Sequence, residues 1–276
     1  MNEYKFICQN DDITLRDELK NQVSRKFYKN IKSTNAKILV NDLEIPLYKT
    51  INKGDIITVF YDKVKNINWP LYYHELDIIY EDDYYLVVNK RKDLLTIPTK
   101  ACPFSLYQEV MYYLKNKNDN DNVSILNRLD KDTQGLVLIA KNRLAAYKLE
   151  PTHMHIIRKY YALCEGIFEK KEGKIETYIE KDEKTNKRYV SKNGKKAITN
   201  YKVIDEKNNK SKVEFILETG RTHQIRVHSA YINHPIVGDV LYGNATESDL
   251  HLLSYYIEFL NPFNNRKIKC QIDCGW

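Results

Sequence analysis

The sequence predicts an α/β protein, α+β in the looser sense, in which a small N-terminal unit precedes a larger domain. Two observations carry this prediction. Short apolar or alternating runs bounded by turn residues recur along the chain and read as strands, with a few stretches of helical spacing between them. At 276 residues the chain is also long enough for a sizeable α/β domain plus a small one, or for two medium domains.

In chain order, residues 1–62 read as a unit of their own. Leu15, Leu19, Val23 and Phe27 fall four apart, the spacing of one face of a helix or of two short helices broken near Ser24. Arg16, Arg25, Lys26, Lys29 and Lys32 line the remainder, either as a solvated face or as a surface for a polyanion. Strand-like AKILVND (36–42) and DIITVFY (55–61) follow. Residues 63–75 are polar, broken at Trp69–Pro70, and read as linker. LDIIYE and YLVVNK (76–90) then form two strands around an Asp82–Asp83 turn, 103–118 is helical, and LAAYKLE (144–150) is a helix ended by Pro151. RKYYALCEG (158–166) is a strand and turn, and the charged stretch 169–204 reads most simply as a solvated hairpin. Val213–Leu217 reads as a buried strand, Gly220 breaks it, and Thr222 is a suitable N-cap for a helix from about His223 to Ile232.

The chemistry concentrates in NRLDKDTQG (127–135), held between the apolar runs Ser124–Leu126 and Leu136–Ala140. Asp130 lies two residues after Arg128 and two before Asp132, so a carboxylate and a guanidinium can project from one rigid frame. A carboxylate flanked by cationic donors can serve as nucleophile or general base. The same polar, glycine-ended segment also fits a plain hairpin connection.

Composition narrows the classes further. Lysine and arginine (44) exceed aspartate and glutamate (37), and the net +7 suits a polyanion without demanding one. No apolar run approaches the roughly 18 residues of a membrane span, and the polar start MNEYKFICQNDD is not that of a signal peptide, so a cytoplasmic protein is expected. The 5 cysteines are expected as free thiols. Cys270 and Cys274 lack partners for a zinc site and His153 and His155 lack a third ligand, so no metal is expected.

The loop RLD-x-x-T-x-G resembles the central motif of the RluA family of pseudouridine synthases, which carries the catalytic aspartate. That resemblance implies a catalytic role for Asp130. Arg158–Lys159–Tyr160 with Ala162 and Gly166 is similar to the family's Lys-x-Tyr-x-Ala segment, and GRTHQIR (220–226) followed by HPIVGD-x-LYG (234–243) fills nearly every position of another. The resemblance implies that Tyr160 stacks on the target base and that Arg226 forms a buried ion pair with Asp130. It also implies that Ile225 packs near the base and that Arg221 contacts RNA or a loop. Residues 252–263 look like the family's closing strand. The chain departs from the pattern at Asn127 (family His), Gln134 (Ser), Arg91 and Asp93 (Pro and Gly of Lys-Pro-x-Gly), Leu253 (His) and Ser254 (Ala).

Leu15–Arg16, Ser24–Arg25, Val40–Asn41 and Gly54–Asp55 resemble the small S4-like RNA-binding domain often fused ahead of such enzymes. This implies phosphate contacts by Arg16 and Arg25 that position the protein on structured RNA. Together the resemblances imply a pseudouridine synthase fold over 76–276, with a bent, mostly antiparallel mixed sheet and flanking helices. The implied enzyme is monomeric, needs no cofactor, and isomerises uridines in RNA, ribosomal RNA of the large subunit first and transfer RNA second. A non-catalytic RNA-binding protein of the same fold, acting in ribosome assembly, is the second reading, and a base-removing glycosylase the third.

Overall fold

The computed structural model describes residues 2–23, 28, 31, 36–61, 69–117, 123–149, 156–185, 187–245 and 249–276. The chain divides into two units, Met1–Asn68 and Trp69–Trp276.

In the first unit the elements are β1 (Asn2–Ile7), β2 (Ile13–Thr14), α1 (Leu15–Gln22), β3 (Lys37–Val40), β4 (Leu43–Glu44), β5 (Thr50–Ile51) and β6 (Ile56–Tyr61). The sheet order is β1-β6-β3-β4, and β2 pairs with β5. Thr14 starts α1 by accepting the Asp17 N–H on its hydroxyl. Leu15 and Leu19 are buried on one face of the helix, as their spacing of four requires, and Arg16 is exposed. The helix ends at Gln22, with Val23 extended, beside the break near Ser24 that one of the two readings allowed. Phe27 and Arg25 lie outside the described residues. Asn41 takes a left-handed conformation in the β3–β4 turn and bonds across to the Asp55 carboxylate and the Ile56 N–H, so two of the motif pairs meet.

The second unit contains β7 (Ile78–Glu81), β8 (Tyr85–Lys90), α2 (Leu106–Asn116), β9 (Ser124–Ile125), β10 (Gln134–Ala140), α3 (Arg143–Leu149), β11 (Ile157–Glu165) and β12 (Glu172–Lys181). It continues with β13 (Arg188–Val190), β14 (Lys195–Lys207), β15 (Lys210–Leu217), α4 (Gln224–Tyr231), β16 (Leu252–Leu260) and β17 (Lys267–Gln271). One sheet runs β13-β12-β14-β15-β11-β16-β10-β8-β7, with β17 on β16 and β9 on β10. β10 and β16 are parallel while the other ladders are antiparallel, so the sheet is mixed and mostly antiparallel as expected.

The continuous apolar runs of β8 and β10 follow from burial on both faces. Leu86, Val88, Val137 and Ile139 point into a core with Leu106, Val110 and Leu114 of α2. Tyr85, Val87, Leu136 and Leu138 point the other way, against Ala145 and Leu149 of α3. The parallel contact is tight at Gly135, whose φ is +120° and where a Cβ would sit 2.3 Å from the Ser254 carbonyl oxygen. Only glycine satisfies both conditions. Residues 69–75, within the stretch read as linker, pack onto this second unit: the Tyr72 hydroxyl donates to the Ser105 carbonyl and Tyr73 meets Tyr112 of α2. The charged 169–204 stretch forms long strands, β12 and β14, with Ile175, Ile179 and Ala197 buried beneath a polar outer face.

Candidate active site

The loop 127–133 leaves β9 and enters β10 under four restraints. The Asn127 side chain accepts the Leu138 N–H at 2.7 Å and donates to the Leu136 carbonyl at 3.2 Å, a further rung on β10. Thr96 bonds both backbone groups of Leu129. The Lys90 ammonium, 1% exposed, donates to the carbonyls of Arg91, Leu94 and Lys131. The Thr133 N–H closes a turn onto the Asp130 carbonyl. Held this way, the loop presents the Asp130 side chain 25% exposed, while Arg128 points to solvent. Burial pulls the Lys90 amine down to about 8, against the opposing charges of Asp130 and Asp132.

Two groups from the α4 region face that carboxylate. Arg226 Nη1 is 3.8 Å from Oδ2, and His223 Nε2 is 3.8 Å from Oδ1. The ion pair of Arg226 with Asp130 that the resemblance implies is present at this distance, but it is not the hydrogen-bonded one. The hydrogen-bonded partner is Asp239, which takes Arg226 Nε at 2.8 Å and Nη2 at 2.7 Å. Asp239 is fully buried and also accepts the N–H groups of Leu241 and Tyr242. Arg226, itself 2% exposed, therefore turns its remaining nitrogen toward Asp130 across a longer gap. Burial works against the charges of this pair, but the hydrogen bonds and mutual attraction outweigh it, raising Arg226 and lowering Asp239 from their ordinary values.

The α4 start also corrects an expectation. The helix begins at Gln224, its N-cap is His223 and not Thr222, and His223 is left-handed at φ 57° with no capping bond from its side chain. Gln224 serves the turn instead, accepting from Arg221 N–H and the Thr219 hydroxyl and donating to Ile198 and Thr199. Arg221 is exposed and spends its Nε–H on the Lys196 carbonyl of β14, a contact with a strand and not with a loop. His228 is a core residue bonded to Thr177 and Thr199.

Tyr160 and Ile225 lie together in the core that includes Leu129, directly behind the loop. Tyr160 is 5% exposed, so its free stacking surface is smaller than the resemblance implies. Burial raises its phenol from the ordinary tyrosine value, opposed by Arg158 and a Ser254 hydrogen bond and reinforced by Asp130. Arg16 sits in the first unit, and among the described residues no group of three or more His, Cys, Asp or Glu side chains is arranged to hold a metal.

Two departures acquire a structural account. Asp93, where the family has glycine, occupies the left-handed region at φ 61°, so the turn needing glycine's freedom persists with a residue that tolerates it. Arg91, where the family has proline, makes a two-pronged bond to the fully buried Glu109 carboxylate at 3.0 and 2.7 Å, tying the end of β8 to α2. The sequence reading missed Lys90, Asp239, Tyr242 and the place of His223. Lys90 carried the signal of a lysine closing an apolar strand, and the other three lie within the GRTHQIR and HPIVGD-x-LYG segments, which gave them no assigned role.

The model of the RNA pseudouridylate synthase family matches residues 84–231, a span containing Asp130, Tyr160, His223 and Arg226. The uncharacterized RNA pseudouridine synthase YjbO of Bacillus subtilis is 29% identical over 257 residues, covering 90% of each chain. Ribosomal large subunit pseudouridine synthase D of Borreliella burgdorferi is 32% identical over 262 residues, covering 87% of this chain and 77% of its own. The solved structure of human RNA pseudouridylate synthase domain containing 1 aligns with a TM-score of 0.59 at 24% identity, covering 72% of this chain and 84% of that one. The sheet is therefore of the pseudouridine synthase kind, and this protein belongs to the RluA family of RNA pseudouridine synthases, isomerases acting on uridine in RNA.

Proposed function

We propose that Asp130 is the catalytic residue of uridine isomerisation here, with Tyr160 and Arg226 completing the site and ribosomal RNA of the large subunit as substrate. The observation that carries this reading is the pinned 127–133 loop, which leaves one accessible carboxylate between Arg226 and His223. The reaction breaks the bond from C1′ to N1, turns the uracil and joins C1′ to C5. The C5 proton is lost and N1 gains one, so the product is an isomer. Asp130 acts at the sugar, by adding to C1′ or by taking the proton of the neighbouring carbon. The base leaves its stack, and its new stacking on an aromatic such as Tyr160 is worth about 1–3 kcal/mol.

The choice of RNA rests on the relatives named ribosomal large subunit pseudouridine synthase D. The division of labour we propose is residues 1–62 as the S4-like RNA-binding domain, with Arg16 and Arg25 on phosphates, 63–75 as connection, and 76–276 as catalytic domain. Exposed Arg128 and Arg221 fit further phosphate contacts, and a monomer in the cytoplasm suffices for this role.

The test is carbodiimide mapping of pseudouridine in total RNA from cells lacking the gene, complemented with wild type or Asp130→Asn. One or a few sites restored by wild type alone in large-subunit ribosomal RNA is the expected result. Sites in transfer RNA overturn the substrate, and no site, or equal restoration by Asp130→Asn, overturns the catalytic reading.

A further inference from the structure

His223 stands in an unusual backbone conformation for a residue with a Cβ, at the join between the 218–223 turn and α4. Histidine tolerates the left-handed region better than most side chains, and such positions concentrate where a site dictates the side chain's direction. The direction here is set by hydrogen bonds. The backbone N–H of Arg188, on β13, donates to the Tyr242 hydroxyl oxygen at 2.9 Å. The same hydroxyl lies 2.8 Å from His223 Nδ1.

Donor bookkeeping then fixes the imidazole. An amide N–H can only donate, so the phenol accepts from Arg188 and keeps its own proton for another acceptor. Among the described residues the acceptor bonded to it is His223 Nδ1. Were Nδ1 to carry hydrogen instead, two donors would face one another or the phenol proton would go unpaired in a half-buried place. Nδ1 is thus bare, and the ring proton sits on Nε2, the atom 3.8 Å from Asp130 Oδ1.

We propose that His223 is a positioning residue for Asp130: a relay running from the Arg188 amide through the Tyr242 hydroxyl to His223 holds an Nε2–H donor on one carboxylate oxygen while Arg226 faces the other. The 3.8 Å gap closes to a hydrogen bond when substrate fills the site, as bonds of this kind tighten on binding. The relay also makes β12–β13–β14 part of the site's frame. Its seat there is reinforced by the Lys187 ammonium, which donates to the Leu241 carbonyl.

A pH dependence follows. A second proton on His223 would enter at Nδ1 and oppose the phenol's. Burial disfavours that charge first of all, Arg226 and Arg188 add to the effect, and Asp130 and Asp239 oppose it, the net being a value below the ordinary histidine one. At neutral pH the neutral, Nε2–H form is the working one.

This inference rests on the isomerase reading with Asp130 as its centre. The test uses the full chain labelled with 15N-histidine, with the His223 signals assigned by their loss in His223→Asn, a side chain that keeps the left-handed backbone. Imidazole 15N shifts at pH 7 are expected to show the Nε2–H tautomer, and Tyr242→Phe to mix the tautomers. That variant keeps the ring beside Arg226 and loses only the hydroxyl. On an RNA carrying the mapped uridine, Tyr242→Phe is expected to lower kcat about ten- to a hundredfold, the scale of a reacting group set about 1 Å out of place. KM is expected to stay within about twofold, and the acid limb of the kcat profile to move to higher pH, because the obstacle to protonating Nδ1 is gone.

An Nδ1–H tautomer in wild type, or a Tyr242→Phe enzyme with wild-type kcat and acid limb, overturns the relay. A loss of kcat with an unmoved acid limb overturns it too, since a merely structural role predicts that. Absence of turnover by wild type would instead strike the isomerase reading, and the tautomer measurement keeps the two failures apart.

Discussion

Asp239→Asn tests the idea that Arg226 is held from behind. Asp239 is fully buried and Arg226 is 2% exposed, so the pair lies in the regime where deleting one charge strands the other. Losing one partner of such a pair costs about 3–5 kcal/mol. Two features move the expectation to the low end. Asparagine keeps an oxygen for the Leu241 and Tyr242 N–H groups, and Asp130 still faces Arg226 at 3.8 Å. At an effective dielectric of about 20 that distance corresponds to about 4 kcal/mol of attraction. Solvent around the partly exposed Asp130 screens much of it.

We expect a loss of about 3 kcal/mol, a large share of the roughly 5–15 kcal/mol that a domain commands. Urea unfolding followed by tryptophan fluorescence reads it out, since Trp69 and Trp276 both belong to the second unit. The pair's contribution has a definite pH course. Burial alone would raise the Asp239 carboxyl, but Arg226 and two backbone N–H groups hold it below its ordinary value. Its stabilisation is therefore complete above the unfolded carboxyl value of about 4 and is lost as pH falls through the folded one. A loss below about 1 kcal/mol, or the same deficit at pH 3 as at pH 7, would refute the account of Arg226 as a buried cation fixed by Asp239.

Gly135→Ala should destabilise the second unit by at least about 2 kcal/mol, because a Cβ there meets the Ser254 backbone at φ +120°, and the same urea titration measures it. For Lys90 the folded amine is pulled to about 8. Between that value and the unfolded one of about 10.4 the unfolded chain binds more protons, so stability rises with pH across the window. Lys90→Met should remove that rise, which unfolding at pH 7.5, 8.5 and 9.5, roughly spanning the window, will show.

Much of the architecture was legible because it depends on local periodicity. β8 and β10 announced themselves as unbroken apolar runs, and α1 as a spacing of four. β12 and β14 were understated, since their alternation hides behind lysines and glutamates on the open face. The start of α4 was misplaced by one residue because Thr222 has the chemistry of a cap, yet the turn is served by Gln224 reaching back to Arg221 and Thr219. Asn127 and Asp93 depart from the family's residues in type, and the structure gives each a role, one bonding β10 and the other accepting a left-handed turn.

The sequence by itself determined which carboxylate to examine, the strands that frame it, and the arginine that would face it. The strands rest on residue type and short-range spacing; the carboxylate and the arginine rest on the resemblance to the RluA family. Only the tertiary structure decided that Arg226 is bonded to Asp239, that Lys90 pins the loop from below, and that Arg188, Tyr242 and His223 line up behind Asp130. Such partners sit on different strands, helices and loops, and only the packing of these elements brings them together. A hydrogen bond's donor and acceptor are chosen by distance and direction, neither of which spacing along the sequence encodes.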